Sequence, residues 1–355
     1  MEWQSQLKNF NSYFTKKIAS LAFELYASLR NKRFFCRALK GDSSYNIVIN
    51  SDLTVSCNCN DNYGLGRIGD FKNQSLEHIF SGEKARGFRK SLAGGKLPIV
   101  NCVVCPDLCF VDRREAERYI DDFGPPTSVM VENTVNCNLD CLSCHREKIY
   151  SLRSKREMSL EDIKKVSLEI KQSKIKRISY FNLGEPFLSK EIKKELEIIK
   201  EDNPDAVVII STNGIVLDSE EKRKAALLAD KIIFSIHGST QGSLTRYQKR
   251  GDFDKTYSNM KSLVMFRELL KRKKPEIIWK YLLFRWNDSD KLILDAIKLA
   301  KEAGIDQIYF EKTLSPLLGI SYKYYFGWGY LNKTAKFNGK ICRIPLNNKE
   351  SVELK

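Results

Sequence analysis

Three cysteines lie within one short stretch of the chain, at Cys137, Cys141 and Cys144. They follow a β-branched segment, 127–134, which predicts a strand, so the cysteines lie on the loop that leaves it. Three thiolates on one loop can hold three irons of a cubane iron–sulfur cluster and leave the fourth iron open. An open coordination position distinguishes a catalytic metal centre from a structural one. We call residues 137–144 the three-cysteine loop and expect it to hold a reactive cluster.

Two other interpretations of the three-cysteine loop remain open from these residues alone, because cysteine motifs bind several different metals. The loop could be a zinc knuckle. It could also hold a closed cluster whose fourth ligand comes from elsewhere in the chain, and His145 is a candidate for that ligand.

Length and composition limit the class of protein. The chain has 355 residues and is 42% hydrophobic, which is enough for one large domain and a smaller one. The apolar run 18–29 is interrupted by Glu24 and precedes no cleavage site, so it predicts an amphipathic helix and not a signal peptide. We therefore expect a cytoplasmic, reducing compartment, in which cysteines bind metals or clusters and do not form disulfides. No stretch reaches the roughly 18–20 apolar residues of a membrane span.

The net charge of +16 raises the possibility of a nucleic-acid or membrane partner. The basic residues are scattered, however, and the one dense run, 271–274, precedes Pro275 at a predicted helix end. Lysines at that position complement the helix dipole and stay solvated. The charge pattern therefore argues against a nucleic-acid partner.

Strand-like and helix-like segments alternate from residue 127 to 313, a pattern typical of parallel β/α architecture. Ser159 and Asp162 form the pattern of a capping box at the start of one helix. Another helix, 290–303, should bury Ile293, Ala296, Ile297 and Ala300 and end at Gly304. We predict an α/β fold, a partial (β/α)6 TIM-like barrel with a small cysteine-rich N-terminal α+β module. The predicted strands are 127–134, 175–182, 206–212, 231–237, 276–284 and 307–313.

The three-cysteine loop, with Asn138 and Leu139 after its first cysteine, resembles the signature of the radical S-adenosylmethionine (SAM) enzymes. That signature is C-x3-C-x2-C after the first strand of a β/α barrel. Ser143 stands where many members carry an aromatic residue. The resemblance implies a [4Fe–4S] cluster on the three catalytic cysteines. Bound SAM would be cleaved there to methionine and a 5′-deoxyadenosyl radical, which abstracts hydrogen from a substrate.

The resemblance also implies SAM-binding residues at the carboxyl ends of the next strands, where such folds bind ligands. Residues 182–186 are similar to the Gly-Gly-Glu-Pro element of the family, although Leu183 replaces its first glycine. His237 stands where relatives carry an acidic residue, and Arg246 is an alternative to Arg250 for the SAM carboxylate. The final strand should also direct Glu311 toward the same mouth. The implied cofactor-binding residues are Gly184, Glu185, Thr212, Asn213, Ser235, His237 and Arg250.

Six further cysteines precede the barrel, around a predicted hairpin at 46–57 with its turn at 50–52. Their order resembles the SPASM domain, an auxiliary iron–sulfur module usually found after the barrel and here placed before it. One further [4Fe–4S] cluster needs four ligands. A structural zinc site built from the same residues is the alternative. The expected ligands are Cys36, Cys57, Cys102 and Cys105, with Cys59 and Cys109 as alternates.

The chain is accordingly divided into five parts. Paired prolines mark a linker at 121–126, between the SPASM-like module at 35–120 and the barrel at 127–315. A helical segment precedes the module at 1–34. Residues 316–355 form an extension in which Cys342 is either the first cysteine of a truncated second module or a ligand that reaches back to the barrel.

These observations lead to one favoured function and one alternative from another class. The favoured function is a radical SAM enzyme that acts on a carbohydrate or another small molecule. A peptide substrate is less favoured because no leader-binding domain is evident. The resemblance implies an electron donor such as flavodoxin or ferredoxin. The alternative is a catalytically silent, basic binding protein, stabilised by zinc or a cluster, for nucleic acid or a protein partner.

Overall fold

The computed structural model describes residues 2–59, 61 and 63–346, with side chains of the first helix described from Tyr13 onward. Residues 347–355 of the predicted C-terminal extension lie outside this range. The described strands are β1 Lys32–Cys36, β2 Val48–Ile49, β3 Thr54–Ser56, β4 Arg67–Asp70, β5 Leu108–Asp112, β6 Ser128–Val131, β7 Asp140–Cys141, β8 Arg177–Ser179, β9 Val207–Thr212, β10 Lys231–Ser235, β11 Gln248–Lys249, β12 Glu276–Leu283, β13 Gln307–Lys312, β14 Phe337–Asn338 and β15 Ile341–Pro345.

Helices alternate with these strands along most of the chain. Short 3-10 helices span Val100–Val104, Pro186–Leu188 and Leu317–Gly319. The α-helices are α1 Glu2–Leu29, α2 Arg37–Lys40, α3 Leu76–Ser81, α4 Glu83–Ala93, α5 Arg113–Arg118, α6 Arg146–Leu152, α7 Leu160–Gln172, α8 Ile192–Asp202, α9 Glu220–Ala226, α10 Gln241–Thr245, α11 Phe253–Leu269, α12 Asp290–Glu302, α13 Tyr322–Tyr325 and α14 Tyr330–Thr334.

The chain forms two compact units. Unit 1 comprises Met1–Glu132, Glu147–Asn182 and Asp202–Ala206, and unit 2 comprises Asn133–Arg146, Leu183–Glu201 and Val207–Lys355. The six cysteines before the barrel therefore belong to unit 1, while the three-cysteine loop belongs to unit 2.

Unit 1 contains a sheet with the strand order β8-β6-β2-β3-β4 and a separate antiparallel pair, β1 and β5. Strands β6 and β8 are parallel, as are β6 and β2, while β2 and β3 form the predicted hairpin. Helix α1 packs against the module through hydrogen bonds from Lys16 to Asn101 and from Lys96 to Glu24. In the β1–β5 pair, Cys36 lies opposite Leu108.

Unit 2 contains four parallel strands in the order β9-β10-β12-β13, followed by the antiparallel strands β15 and β14. Successive side chains along each strand point to opposite faces of the sheet. One face of β10 and β12 carries side chains such as Phe234, Trp279 and Tyr281, all with 0% exposure. The other face is more polar: Ser211 and Ser235 lie within hydrogen-bonding distance of each other, and Lys280 pairs with Glu311.

The predicted fold is confirmed. The α/β chain has a strand at each of the six predicted positions and forms a partial (β/α)6 TIM-like barrel arrangement. Ser159 and Asp162 form the capping box before α7, and the four predicted residues of α12 are buried. Gly304 ends α12 with a φ of +68°, the left-handed region in which glycine is favoured. Among the described residues, no helix has the length and apolar character needed to cross a bilayer.

Candidate functional site

Hydrogen bonds hold the three-cysteine loop in place at its first cysteine and along its middle. Cys141 lies in β7, which pairs with β11 and places Cys141 opposite Gln248. Arg146 donates to the carbonyl oxygen of Cys137 at 2.6 Å and to the carboxylate of Asp140 at 2.9 Å. The thiols of Cys137 and Cys141 are partly buried and that of Cys144 is exposed, so a group bound here would be reachable from one side.

Hydrogen-bond donors point at the sulfur of Cys137. The backbone N–H of Leu139 lies 3.5 Å from this sulfur, and the side-chain amide of Asn213 lies 3.8 Å from it. Burial raises the pKa of Cys137 and that of Cys141. Because burial favours the neutral thiols, a bound metal centre would be needed to keep them as thiolates. Donors to sulfur are one of the features that set the reduction potential of an iron–sulfur cluster.

Gly184 allows residues 182–186 to lie directly against residues 134–136, which lead into the three-cysteine loop. A Cβ at this position would lie 1.9 Å from the carbonyl oxygen of Thr134. The next residue, Glu185, donates its backbone N–H to the carbonyl oxygen of Asn136 at 2.7 Å. The glycine is therefore required by close backbone packing within unit 2.

We expect Gly184→Ala to reduce the free energy of unfolding by about 3 kcal/mol, because the backbone at Thr134, just before the three-cysteine loop, must move. Chemical denaturation would measure this. Gly242→Ala is the matched control, since nothing lies within 4 Å of a Cβ there. Inside α10 this control should be neutral or stabilising by up to about 1 kcal/mol. Equal stabilities for the two variants would contradict the assigned packing.

Glu185 is buried, with 1% exposure, and its carboxylate accepts three hydrogen bonds. Thr212 Oγ1 and the backbone N–H of Asn213 each donate at 2.7 Å, and the backbone N–H of Phe187 donates at 3.2 Å. Burial raises the pKa of Glu185 to about 7, while the donors act in the opposite direction. Glu185 therefore links the end of β9 to the three-cysteine loop, whatever it contacts on a ligand.

Ser235 and His237 lie at the carboxyl end of β10. Gln248 joins them to the loop, since it donates to the carbonyl oxygen of Ser235 and accepts from the backbone N–H of His237. Nδ1 of His237 accepts from the backbone N–H of Leu282 at 3.2 Å. Burial, and to a smaller extent the positive charge of Lys280, lowers the pKa of His237 to about 3. The imidazole is therefore neutral and acts through hydrogen bonds.

The buried His237 should make the protein sensitive to acid. Its folded pKa lies below the ordinary value of 6.5, so the unfolded chain takes up the proton first. The free energy of unfolding is therefore unaffected by protonation of this histidine above about pH 6.5. It falls by about 1.4 kcal/mol for each pH unit as the pH is lowered from 6.5 toward 3. Denaturation at pH 7 and 5.5 should show a flatter dependence for His237→Asn. The exposed His78, changed to Asn, is the control, and an unchanged slope in His237→Asn would contradict the prediction.

Arg250 lies beside the loop with an exposed side chain and pairs with Asp140, the Nε–Oδ2 distance being 2.9 Å. Asp140 therefore lies between Arg146 and Arg250. The alternative, Arg246, is exposed at the end of α10, and His145 is half-buried after the loop. The contacts of Asp140, Arg146 and Gln248 were not predicted from the sequence. The one sequence signal for these contacts was the position of Asp140 between two of the three cysteines.

In unit 1, four cysteines line a single cavity, and they are the four predicted ligands. Burial raises the pKa of each of these thiols, that of Cys102 to about 12. Asn46 is buried beside them. Its amide nitrogen donates to Cys105 Sγ at 3.4 Å and to Asp107 at 2.8 Å, while its carbonyl oxygen accepts from the backbone N–H of Cys59. The lining cysteines are Cys36, Cys57, Cys102 and Cys105.

The remaining cysteines are placed differently. Cys59 and Cys109 do not line the unit 1 cavity, and Cys109 lies in β5 opposite Phe35. Cys342 is buried in β15 of unit 2, opposite Phe310, and burial raises its pKa to about 11. Within residues 2–59, 61 and 63–346, no three His, Cys, Asp or Glu side chains already have the geometry of a metal-ion site.

Comparisons with known proteins bear on this site. The family model described as the Radical SAM superfamily matches residues 131–320, which is more than half of the chain. A probable GTP 3',8-cyclase of Pyrococcus abyssi is 35% identical over 121 residues, covering 33% of this chain and 37% of that protein. A GTPase Obg of Brachyspira hyodysenteriae is 27% identical over 204 residues, covering 52% and 29%. The chain thus spans only about a third of the length of these relatives.

A solved structure of TYW1 with a lysine-pyruvate adduct bound is also similar to this chain. The match covers 64% of this chain and 79% of that one, at 14% sequence identity and a TM-score of 0.41.

Proposed function

The chain belongs to the radical SAM superfamily, and from that premise we propose that Cys137, Cys141 and Cys144 hold a [4Fe–4S] cluster at which SAM is cleaved. Reductive cleavage of SAM, followed by hydrogen abstraction from a substrate, is the chemistry that such a cluster supplies when it is bound. One observation supports the proposal most strongly. In unit 2, three thiols lie on one loop, and Gly184 and Glu185 pack against the backbone that leads into this loop.

The residues around the loop have distinct proposed roles. Glu185 accepts from the backbone N–H of Asn213, whose side chain donates to Asn138 of the loop. These contacts support Glu185 as a residue that orients the methionine portion of SAM and Asn213 as a residue that lines the site. Arg250 is exposed and has a planar fork of donors that suits a carboxylate, although in the structure it pairs with Asp140. Thr212, Ser235 and the neutral His237 would line the site and bind through hydrogen bonds.

We propose that the unit 1 cysteines hold an auxiliary [4Fe–4S] cluster. The cavity shared by Cys36, Cys57, Cys102 and Cys105 supports this ligand set, because these four thiols come from three separate chain segments. The amide of Asn46 would donate to the sulfur of Cys105 and so raise the reduction potential of the cluster. A zinc site on the same thiols is the competing proposal.

We propose a small polar molecule, such as a carbohydrate, as the substrate. The polar strand face of unit 2, with Ser211, Ser235 and the Lys280–Glu311 pair, supports a ligand rich in hydrogen-bonding groups. The similarity to probable GTP 3',8-cyclases is in keeping with a small polar substrate. A flavodoxin or ferredoxin would supply the electron. Membership in the superfamily favours this enzyme over the alternative of a silent binding protein.

The test is formation of 5′-deoxyadenosine by anaerobically reconstituted protein supplied with SAM and a strong reductant. We expect product from the wild type and none from the variant carrying Cys137→Ala, Cys141→Ala and Cys144→Ala. Cys109→Ala is the matched control, because it lies outside both proposed ligand sets, and it should remain active. A wild type that holds iron and sulfide but forms no 5′-deoxyadenosine would overturn the proposal.

A further inference from the structure

The part of unit 2 that follows β13 exposes an unusual number of large apolar side chains. Leu317 is 73% exposed, Leu318 81% and Trp328 68%. The aromatic rings of Tyr322, Phe326 and Trp328 stack one on the next. The centroid distances are 6.2 Å between Tyr322 and Phe326 and 5.3 Å between Phe326 and Trp328. Proteins rarely leave such a patch in water unless it binds something. This apolar surface comprises Leu314, Leu317, Leu318, Tyr322, Phe326 and Trp328.

Residues 312–346, which contain the apolar surface, carry positive charge and no negative charge. No aspartate or glutamate occurs between residues 312 and 346. The charge of Lys323 is offset by its ion pair with Asp290. Four further cations in this segment are exposed. The segment therefore favours an anionic partner. These cations are Lys333, Lys336, Lys340 and Arg343.

Exposed leucines, tryptophan and tyrosine in the same stretch of chain as exposed lysines are the composition of a surface that enters the interface of a lipid bilayer. Leucine side chains enter the acyl region, aromatic rings stay at headgroup depth, and lysine stems extend outward to the headgroups. We propose that the apolar surface docks this protein onto an anionic lipid bilayer. A second copy of the chain fits the surface poorly, because a two-fold contact would bring two positive segments together.

The apolar surface adjoins the candidate active site within unit 2. The backbone N–H of Arg285 donates to the carbonyl oxygen of Gly319, and the ring of Trp286 lies against Gly319. Phe284, at the end of β12, stacks on Trp286 and also contacts the ring of His237. Docking through this surface therefore holds the carboxyl ends of β12 and β13 near the bilayer.

Vesicle co-sedimentation of the full-length protein tests the proposal. We expect binding to phosphatidylcholine vesicles that contain phosphatidylglycerol, no binding to phosphatidylcholine alone, and weaker binding as salt is added. The apolar variant, Leu317→Ser with Leu318→Ser and Trp328→Ser, should bind at least about tenfold more weakly. The charge variant, Lys333→Gln with Lys336→Gln and Lys340→Gln, should lose about fivefold for each lysine that reaches the lipid headgroups.

Met265→Ser with Leu269→Ser is the matched control, because both residues are exposed on α11 and lie outside the apolar surface. It should bind as the wild type does. Circular dichroism would establish that all variants are folded. Absence of wild-type binding, or equal binding by the apolar variant, would overturn the proposal. A dimer that forms in analytical ultracentrifugation and is lost in the apolar variant would overturn it in favour of a second copy.

Vesicle binding needs neither cluster nor SAM, so it is independent of the proposed reaction. Protein that binds vesicles but forms no 5′-deoxyadenosine would contradict the proposed function and leave the docking surface standing. Protein that forms 5′-deoxyadenosine but binds no vesicles would overturn the docking proposal and leave the proposed function standing.

Discussion

Protein that carries Cys36→Ala, Cys57→Ala, Cys102→Ala and Cys105→Ala is expected to retain about half of its iron and acid-labile sulfide. The wild type with two [4Fe–4S] clusters should hold about eight irons per chain, and the variant about four. The reason is spatial: the four thiols line one cavity in unit 1, whereas the three-cysteine loop belongs to unit 2. Removing one set leaves the ligands of the other unchanged.

Iron, zinc and sulfide would be measured together after anaerobic reconstitution. The control is Cys59→Ala with Cys109→Ala, since neither side chain lines the cavity, and this variant should keep all of its iron. Because four substitutions could unfold unit 1, the single change Cys102→Ser is made beside them and should also lower the iron content. Loss of about one zinc with no change in iron would show that unit 1 holds zinc, and the auxiliary-cluster proposal would fail.

The strands and the capping box could be predicted because their signals are local. A strand of parallel sheet is a short run of β-branched and apolar residues, and β12 and β13 were predicted to within one residue at each end. The capping box at Ser159 is likewise a pattern within four residues.

The contacts that organise the candidate site join residues far apart in the chain, and no local pattern reports them. The resemblance implies that Gly184 binds the cofactor, and no sequence pattern indicated that a Cβ there would also meet the backbone of Thr134 in the same unit. Gln248 joins β10 to β7, and Asn46 joins the segments of Cys59 and Cys105. These polar side chains look ordinary in sequence, and their roles depend on burial among partners that only the fold brings near.

Arg153 and Glu132 form a buried ion pair in unit 1. Glu132 directly follows β6, and its side chain is 0% exposed, while that of Arg153 is 5% exposed. The Arg153 Nε–Glu132 Oε1 distance is 2.8 Å. The carboxylate also accepts from the backbone N–H of Ser51 and from Asn182, and the guanidinium donates to Asn50. The pair thus ties the turn of the β2–β3 hairpin to the end of β6.

Arg153→Met is expected to lower the free energy of unfolding by about 3–5 kcal/mol, because it leaves the carboxylate of Glu132 buried without its cation. Denaturant titration would measure the loss. The double variant Arg153→Met with Glu132→Gln removes the stranded charge and should be more stable than the single one. Arg113→Met is the control, since its pair with Glu117 is exposed and should be worth less than about 1 kcal/mol. A loss in Arg153→Met no larger than in this control would mean that water reaches Glu132 and solvates its charge.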